Sequence, residues 1–322
     1  MVKTHKFELN DKKIVLDINS GSVHVVDDLI WDIIDLYEKQ SLEQIIEQLK
    51  DKYSEENIKE AYSEIGQLKE SDLLFSEPAD ISNIKYNEEG IVKALCLHVA
   101  HDCNLRCNYC FASQGDFHGE RLYMPLEVGK KALEFLVEKS GNRRNLEVDF
   151  FGGEPLMNFD VVKELVAYGR ELEKKHNKHF RFTITTNGVL LNEDNMKFMN
   201  ENMDNVVLSL DGRKEVNDNM RPTVNQKGSF DTITPKFLEF VKLRGDKSYY
   251  LRGTFTSKNL DFSKDVLFMN ELGFDSISVE PVVASPENDY ALLEQHLETI
   301  MKEYESLSKE YIKMKKEGKG FS

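Results

Sequence analysis

The chain is short of cysteine, short of basic charge and without a long apolar run, and each shortage excludes something. Four cysteines in 322 residues, three of them within one stretch of eight, do not form the disulfide framework of a small secreted domain. Lys and Arg number 42 against 57 Asp and Glu, a net charge of −15. That balance argues against a nucleic-acid binder, which carries a basic face. No segment approaches the ~20 consecutive apolar residues that a membrane-spanning helix needs. The first residues, Met1-Val2-Lys3-Thr4-His5-Lys6, lack a signal-peptide core. The reading is a chain of the reducing cytoplasm with no nucleic-acid or membrane partner. At 40% hydrophobic and 31% charged it is of ordinary globular composition, long enough for two domains.

What is present is concentrated in His101-Asp102-Cys103-Asn104-Leu105-Arg106-Cys107-Asn108-Tyr109-Cys110. Three thiolates at CxxxCxxC spacing can hold three irons of a four-iron cluster and leave the fourth open. Clusters that only transfer electrons take four cysteines, so an open iron points to a catalytic cluster chelated by a small molecule. Two other readings compete: a zinc site, which closes with four ligands, and a redox pair of Cys107 and Cys110. Cys96 lies in the apolar run 94–99, which reads as a strand. It is expected to be a small buried side chain and not a fourth ligand.

Residues 1–76 read as a unit of their own. Phe7 and Leu9, then Ile14, Leu16 and Ile18, then Val23 and Val25 alternate with polar residues, the pattern of three short strands. Leu29, Ile30, Ile33, Ile34 and Tyr37 then follow a helical period. Ser41-Leu42-Glu43-Gln44 opens a second helix as a capping box, and a third runs from Ser54 to Glu70. Residues 77–91 read as a linker, broken by Pro78, Asp80, Ser82, Asn83, Asn87 and Gly90. From residue 92 to 322 strand-like and helix-like segments alternate. Strands are expected at 93–99, 146–151, 180–186, 205–210, 248–255 and 276–281. Helices are expected at Leu126–Lys139, Val161–Lys175 and, last, Tyr290–Lys316. Six βα units imply an α/β fold, a partial (βα)6 barrel with its chemistry at the carboxyl ends of the strands. The cysteine loop follows the first of those strands.

The second barrel strand ends Asp149-Phe150-Phe151-Gly152-Gly153-Glu154-Pro155. Paired glycines let a ligand approach the backbone, and a carboxylate receives an ammonium. The third ends Thr185-Thr186-Asn187-Gly188, the fourth Ser209-Leu210-Asp211-Gly212, and the fifth carries Arg252. With CxxxCxxC and Gly-Gly-Glu-Pro on successive strands, residues 91–312 resemble a radical S-adenosylmethionine (SAM) enzyme. Residues 1–76 resemble the winged-helix-like leader-peptide recognition domains of peptide-modifying enzymes, similar to the small pyrroloquinoline-quinone biosynthesis chaperone (PqqD-like). The stretch 97–117 is similar to maturases of the six-cysteine SCIFF peptides.

That resemblance implies a 4Fe-4S cluster on Cys103, Cys107 and Cys110, with S-adenosyl-L-methionine on its open iron. Gly152, Gly153 and Glu154 would take the amine, and a β-carbon at residue 153 would intrude on it. Ser209 and Arg252 would take the carboxylate or ribose, and Asp211 a ribose hydroxyl. Tyr109 would lie near the adenine, and Asn187 would complete the site. The implied activity joins a cysteine sulfur to another residue's α-carbon in a ribosomally made precursor peptide, whose leader residues 1–76 would bind. A reductant such as flavodoxin or ferredoxin would supply electrons. Such maturases carry a cysteine-rich SPASM domain with auxiliary clusters, yet no cysteine follows Cys110; the expectation is a fragment. The rival activities are an anaerobic sulfatase-maturating type of oxidation and a non-catalytic peptide- or zinc-binding scaffold.

Overall fold

The computed structural model describes residues 3–82 and 90–322. The chain divides into two compact units, Met1–Tyr86 and Asn87–Ser322. Of the expected linker, Asn83 and Asn87 lie outside the described residues.

The first unit begins with an antiparallel meander, β1 (Thr4–Leu9), β2 (Lys12–Asp17) and β3 (Val23–Val26), in the order β1-β2-β3. Three helices follow: α1 (Asp28–Tyr37), α2 (Leu42–Leu49) and α3 (Glu55–Glu70). Each is started by a side chain that accepts an otherwise orphaned amide: Asp27 from Ile30, Ser41 from Gln44 in a full capping box, and Ser54 from Asn57. Their apolar faces bury Ile33, Ile34, Ile45, Ile58 and Ile65 together with Val15. Here the apolar alternation misleads about which face is covered. The inward residues of β2 are Val15 and Asp17, whereas Ile18, Val23 and Val25 are exposed. Asp17 is buried because it serves as an anchor: it accepts from the amides of Ser20 (2.9 Å) and Ser76 (3.0 Å) and from the Ser76 hydroxyl.

In the second unit six parallel strands lie in sequence order: β4 (Ala94–Ala100), β5 (Asn145–Gly152), β6 (His179–Thr186), β7 (Asn205–Ser209), β8 (Tyr249–Phe255) and β9 (Ile277–Pro281). Crossovers are α4 (Leu126–Lys139), α5 (Phe159–His176), α6 (Glu193–Asn202), α7 (Lys214–Met220) with α8 (Phe230–Arg244), and α9 (Phe262–Glu271); α10 (Leu297–Lys316) comes last. One face of the sheet carries the apolar core. Leu97, Val148, Phe150, Phe180, Phe182, Ile184, Leu208 and Leu251 pack beneath Leu133, Leu165, Met199 and Phe237 of the helices. Period two sends the alternate residues to the other face, and these are Cys96, His98, Asp149, Thr183, Thr185, Ser209, Arg252 and Thr254. Residues from β5, β6, β7, β8 and β9 border one cavity beside the cysteine loop, so the sheet curls around it as a partial barrel does.

Two expectations are corrected. Cys96 is exposed, because Leu97 and Val99 take the core side of β4 and leave Cys96 on the open face. The last helix begins at Leu297, not Tyr290. Before it the chain turns at 286–290, where Ala291 N–H bonds to the Asn288 carbonyl (3.0 Å) and Ser257 N–H to the Tyr290 carbonyl (3.1 Å), and it turns again at Glu294–His296.

Candidate cluster and cofactor site

The cysteine loop leaves β4 at Ala100 and is clasped from two sides. On one side the β5 turn holds it: Gly153 N–H donates to the Ala100 carbonyl (2.7 Å) and Glu154 N–H to that of Asp102 (2.9 Å). On the other side lies the segment after α7. Arg106 N–H donates to Pro222 O (2.7 Å), Asn108 N–H to Met220 O (2.9 Å), and the Asn108 amide to Asn219 O (2.8 Å). The glycine pair is required by this clasp. Gly152 has φ +128°, and a β-carbon there would lie 2.4 Å from Ala100 O; one on Gly153 would lie 2.1 Å from Asp102 O. The expectation that a side chain at 153 would intrude on a ligand is therefore corrected: it would collide first with the cysteine loop's own backbone.

A cavity of about 380 Å³ opens at this point. Its lining brings together Cys103, Cys107, Cys110, Tyr109, Gly152, Gly153, Glu154, Asn187, Ser209 and Arg252. Asp211 stands behind Tyr109, accepting its hydroxyl at 2.7 and 2.9 Å. Phe111 and Phe151 supply an apolar wall.

Glu154 is almost wholly buried. Its Oε1 accepts from Leu156 N–H (3.0 Å) and the Thr186 hydroxyl (2.8 Å), its Oε2 from Asn187 N–H (2.8 Å). Oε2 keeps one acceptor position for a ligand ammonium. Burial pushes its pKa up, and the three donors pull it back. Arg252 lines the cavity but is committed to Glu280 at 2.7 Å, with both side chains half-exposed. Tyr109 is likewise held by its hydroxyl, leaving only its ring to pack on a ligand.

Burial first, and then the Glu154 carboxylate, raises the Cys103 thiol to about 12. Burial also raises Cys107, with Arg221 opposing. Such thiols ionise when a metal takes them. Cys103 Sγ already receives Leu105 N–H (3.4 Å) and the Asn187 amide (3.5 Å), the bonds a metal thiolate accepts. Among the described residues no three His, Cys, Asp or Glu side chains converge on one metal-ion position. A cluster instead takes each thiolate on a different iron. The donor set, its sulfur hydrogen bonds and the adjoining acceptor on Glu154 fit a three-cysteine cluster with an amine-bearing ligand.

Arg221 escaped the sequence reading. It is buried in the cavity wall, donates to Tyr109 Oη at 2.9 Å, and has an unpartnered Nε. No local pattern marks it, because its importance comes from a contact across 112 positions.

Residues 97–247 match the family model of the Radical SAM superfamily. An uncharacterized protein of Methanocaldococcus jannaschii is 30% identical over 195 residues, covering 59% of this chain and 62% of its own length. A cysteine-type anaerobic sulfatase-maturating enzyme of Clostridium novyi is 38% identical over 136 residues, covering 41% of this chain and 36% of its own. Native anSMEcpe with bound AdoMet and Kp18Cys peptide shares the fold at TM-score 0.62 and 21% identity, over 72% of this chain and 63% of that one. SuiB of Streptococcus suis bound to S-adenosylmethionine does so at TM-score 0.53 and 16% identity, over 97% and 70%. The stretch 97–247, just under half of the chain, thus matches a superfamily that uses a 4Fe-4S cluster and SAM. No helix among the described residues is long and apolar enough to cross a membrane.

Proposed function

We propose that the chain is the radical SAM part of a peptide maturase that links a cysteine sulfur of a precursor peptide to another residue's α-carbon. The observation that carries the radical reading is the meeting of Cys103, Cys107 and Cys110 with the Gly152-Gly153-Glu154 turn in one cavity. Bound there, cluster and SAM would supply one-electron chemistry for hydrogen abstraction. The chain's own part is to hold and orient. Glu154 Oε2 would accept from the cofactor amine, the Ser209 hydroxyl and Arg221 would serve its carboxylate, and Phe111 and Phe151 would offer it an apolar wall. A small reductant protein such as flavodoxin or ferredoxin would deliver the electron.

The peptide reading rests on the first unit. Among the described residues β3 pairs with β2 along one edge only. Beside it a small cavity of about 180 Å³ is lined by His24, Val25, Ile34, Ile65 and Leu68, among others. An extended leader can add as a fourth strand and place side chains in that groove. The winged-helix-like assignment of residues 1–76 belongs to this reading.

A second activity is favoured by the relative named as a cysteine-type anaerobic sulfatase-maturating enzyme: oxidation of a peptide cysteine without a cross-link. Intact mass spectrometry of a co-expressed precursor, with thiol alkylation, separates the two. Thioether formation removes two hydrogens per bridge and one alkylatable thiol. Conversion of that cysteine to an aldehyde, with loss of its sulfur, supports the second activity.

A further inference from the structure

Three side chains from three separate segments meet in the wall behind the cysteines. Tyr109 lies in the cysteine loop, Asp211 just beyond β7, and Arg221 just beyond α7. The Arg221 guanidinium donates to Tyr109 Oη at 2.9 Å. A guanidinium cannot accept, so the one hydroxyl proton of Tyr109 goes to Asp211, 2.7 Å from Oδ2. Thr254 N–H donates to Asp211 Oδ1 at 3.1 Å. Asp211 therefore accepts in every one of these bonds, as a carboxylate does.

Arg221 is 7% exposed, and among the described residues none of its nitrogens forms a direct ion pair. Its place is fixed, because the residues on either side of it, Met220 and Pro222, are bonded through their carbonyls to the cysteine loop. The cationic partner across the cavity, Arg252, is already paired with Glu280. Once the three cysteines are thiolates, the chamber holds their charge together with the carboxylates of Glu154 and Asp211. Reducing a thiolate-bound cluster adds a further negative charge to that buried space, where charge interactions are strong. Net charge around an iron–sulfur cluster is one of the quantities that set its potential.

We propose that Arg221 is the fixed internal cation that makes the cluster easier to reduce, with Asp211 as its counterweight through the Tyr109 hydroxyl. Besides the cofactor contact proposed above, it acts on the cluster through its charge and through the bond it donates to Tyr109. The proposal rests on the radical-cofactor reading above.

The test is an EPR-monitored redox titration of the anaerobically reconstituted full chain, without added SAM. Arg221→Gln is expected to lower the reduction equilibrium by tenfold or more, a midpoint fall of about 59 mV for one electron. Arg221→Lys should retain most of the original midpoint. Asp211→Asn, which removes the opposing charge, should shift it upward. A purely structural brace would change iron content or folding and leave the midpoint of the loaded cluster where it was. Full iron with an unshifted midpoint in Arg221→Gln overturns the proposal. If that variant fails to load iron, Asp211→Asn decides: a rise supports the proposal, and no rise overturns it. Absence of any iron–sulfur cluster in the unsubstituted chain overturns the underlying reading, a result distinct from an unshifted midpoint.

Discussion

The carbonyl oxygen of Asp102 stands 2.1 Å from the point that a β-carbon on residue 153 would occupy, and the amide of Glu154 donates to that same oxygen at 2.9 Å. The glycine turn and the cysteine loop are thus one piece of structure. Gly153→Ala must push Asp102 and Gly115 aside, at a cost of about 1–3 kcal/mol for overpacking. We expect it to lose most of its iron on reconstitution, and not merely to bind SAM more weakly. Iron analysis beside a thermal melt checks this; full iron with weakened SAM binding would return the constraint to the ligand.

Glu154 offers the one remaining acceptor position in its buried network. Glu154→Gln keeps the size but removes the charge. A hydrogen bond to a charged group contributes about 1.5–3 kcal/mol, so SAM affinity should fall by roughly 10- to 100-fold while the cluster stays. SAM titration followed by EPR of the reduced cluster reads this directly. An unchanged affinity would remove Glu154 from the cofactor's binding set.

In the first unit, Leu68 and Val25 line the groove beside β3. Val25 is exposed, so Val25→Glu should leave the fold intact, and Leu68→Glu places a second charge in the groove. Both are expected to weaken binding of a labelled leader peptide about tenfold or more, roughly 1.4 kcal/mol, in fluorescence anisotropy with the full chain. Cofactor cleavage without peptide should continue. Equal leader affinity in both variants would count against recognition at β3.

Asp17 gives the first unit an acid-sensitive clasp. Burial alone would raise its pKa, but the bonds from Ser76 and Ser20 outweigh burial and lower it to about 2. The unfolded value is about 3.9. The stabilisation is therefore complete above about pH 4 and is lost as pH falls toward 2. Ser76→Ala should cost about 1–3 kcal/mol at neutral pH and flatten the acid limb of urea-denaturation midpoints. A variant with the same acid limb as the unsubstituted chain would contradict the clasp.

Asp149 works in the opposite sense. Burial raises it to about 6, so its contribution favours folding below about pH 4 and is lost as pH rises through 6. Asp149→Asn should remove that alkaline loss, measured as the difference in unfolding midpoint between pH 5 and pH 8.

Local patterns made much of this fold legible. Six apolar strand runs and the exact span of the Leu126–Lys139 helix follow from period and turn residues, because each is decided by its own neighbours. The Ser41–Gln44 box was legible for the same reason. Facing was harder to read. The runs around Cys96 look uniformly apolar, and only the assembled sheet shows that Leu97 and Val99 take the core while Cys96 does not. The cysteines and the Gly-Gly-Glu-Pro turn could be read as a site because their spacing is itself chemical. The Gly153–Asp102 collision, the Arg252–Glu280 pair and the burial of Arg221 were not readable. Each depends on partners more than 25 positions away, which no window of sequence contains.

The account stands most directly on one measurement. The full chain, reconstituted anaerobically with iron and sulfide, reduced with dithionite and given SAM, should hold about four irons and release 5′-deoxyadenosine. Cys103→Ala, Cys107→Ala and Cys110→Ala should do neither, while Cys96→Ala, altered on the open face of β4, should do both. One zinc per chain with no iron, or a Cys107→Ala variant that keeps the cluster and cleaves SAM, would contradict it.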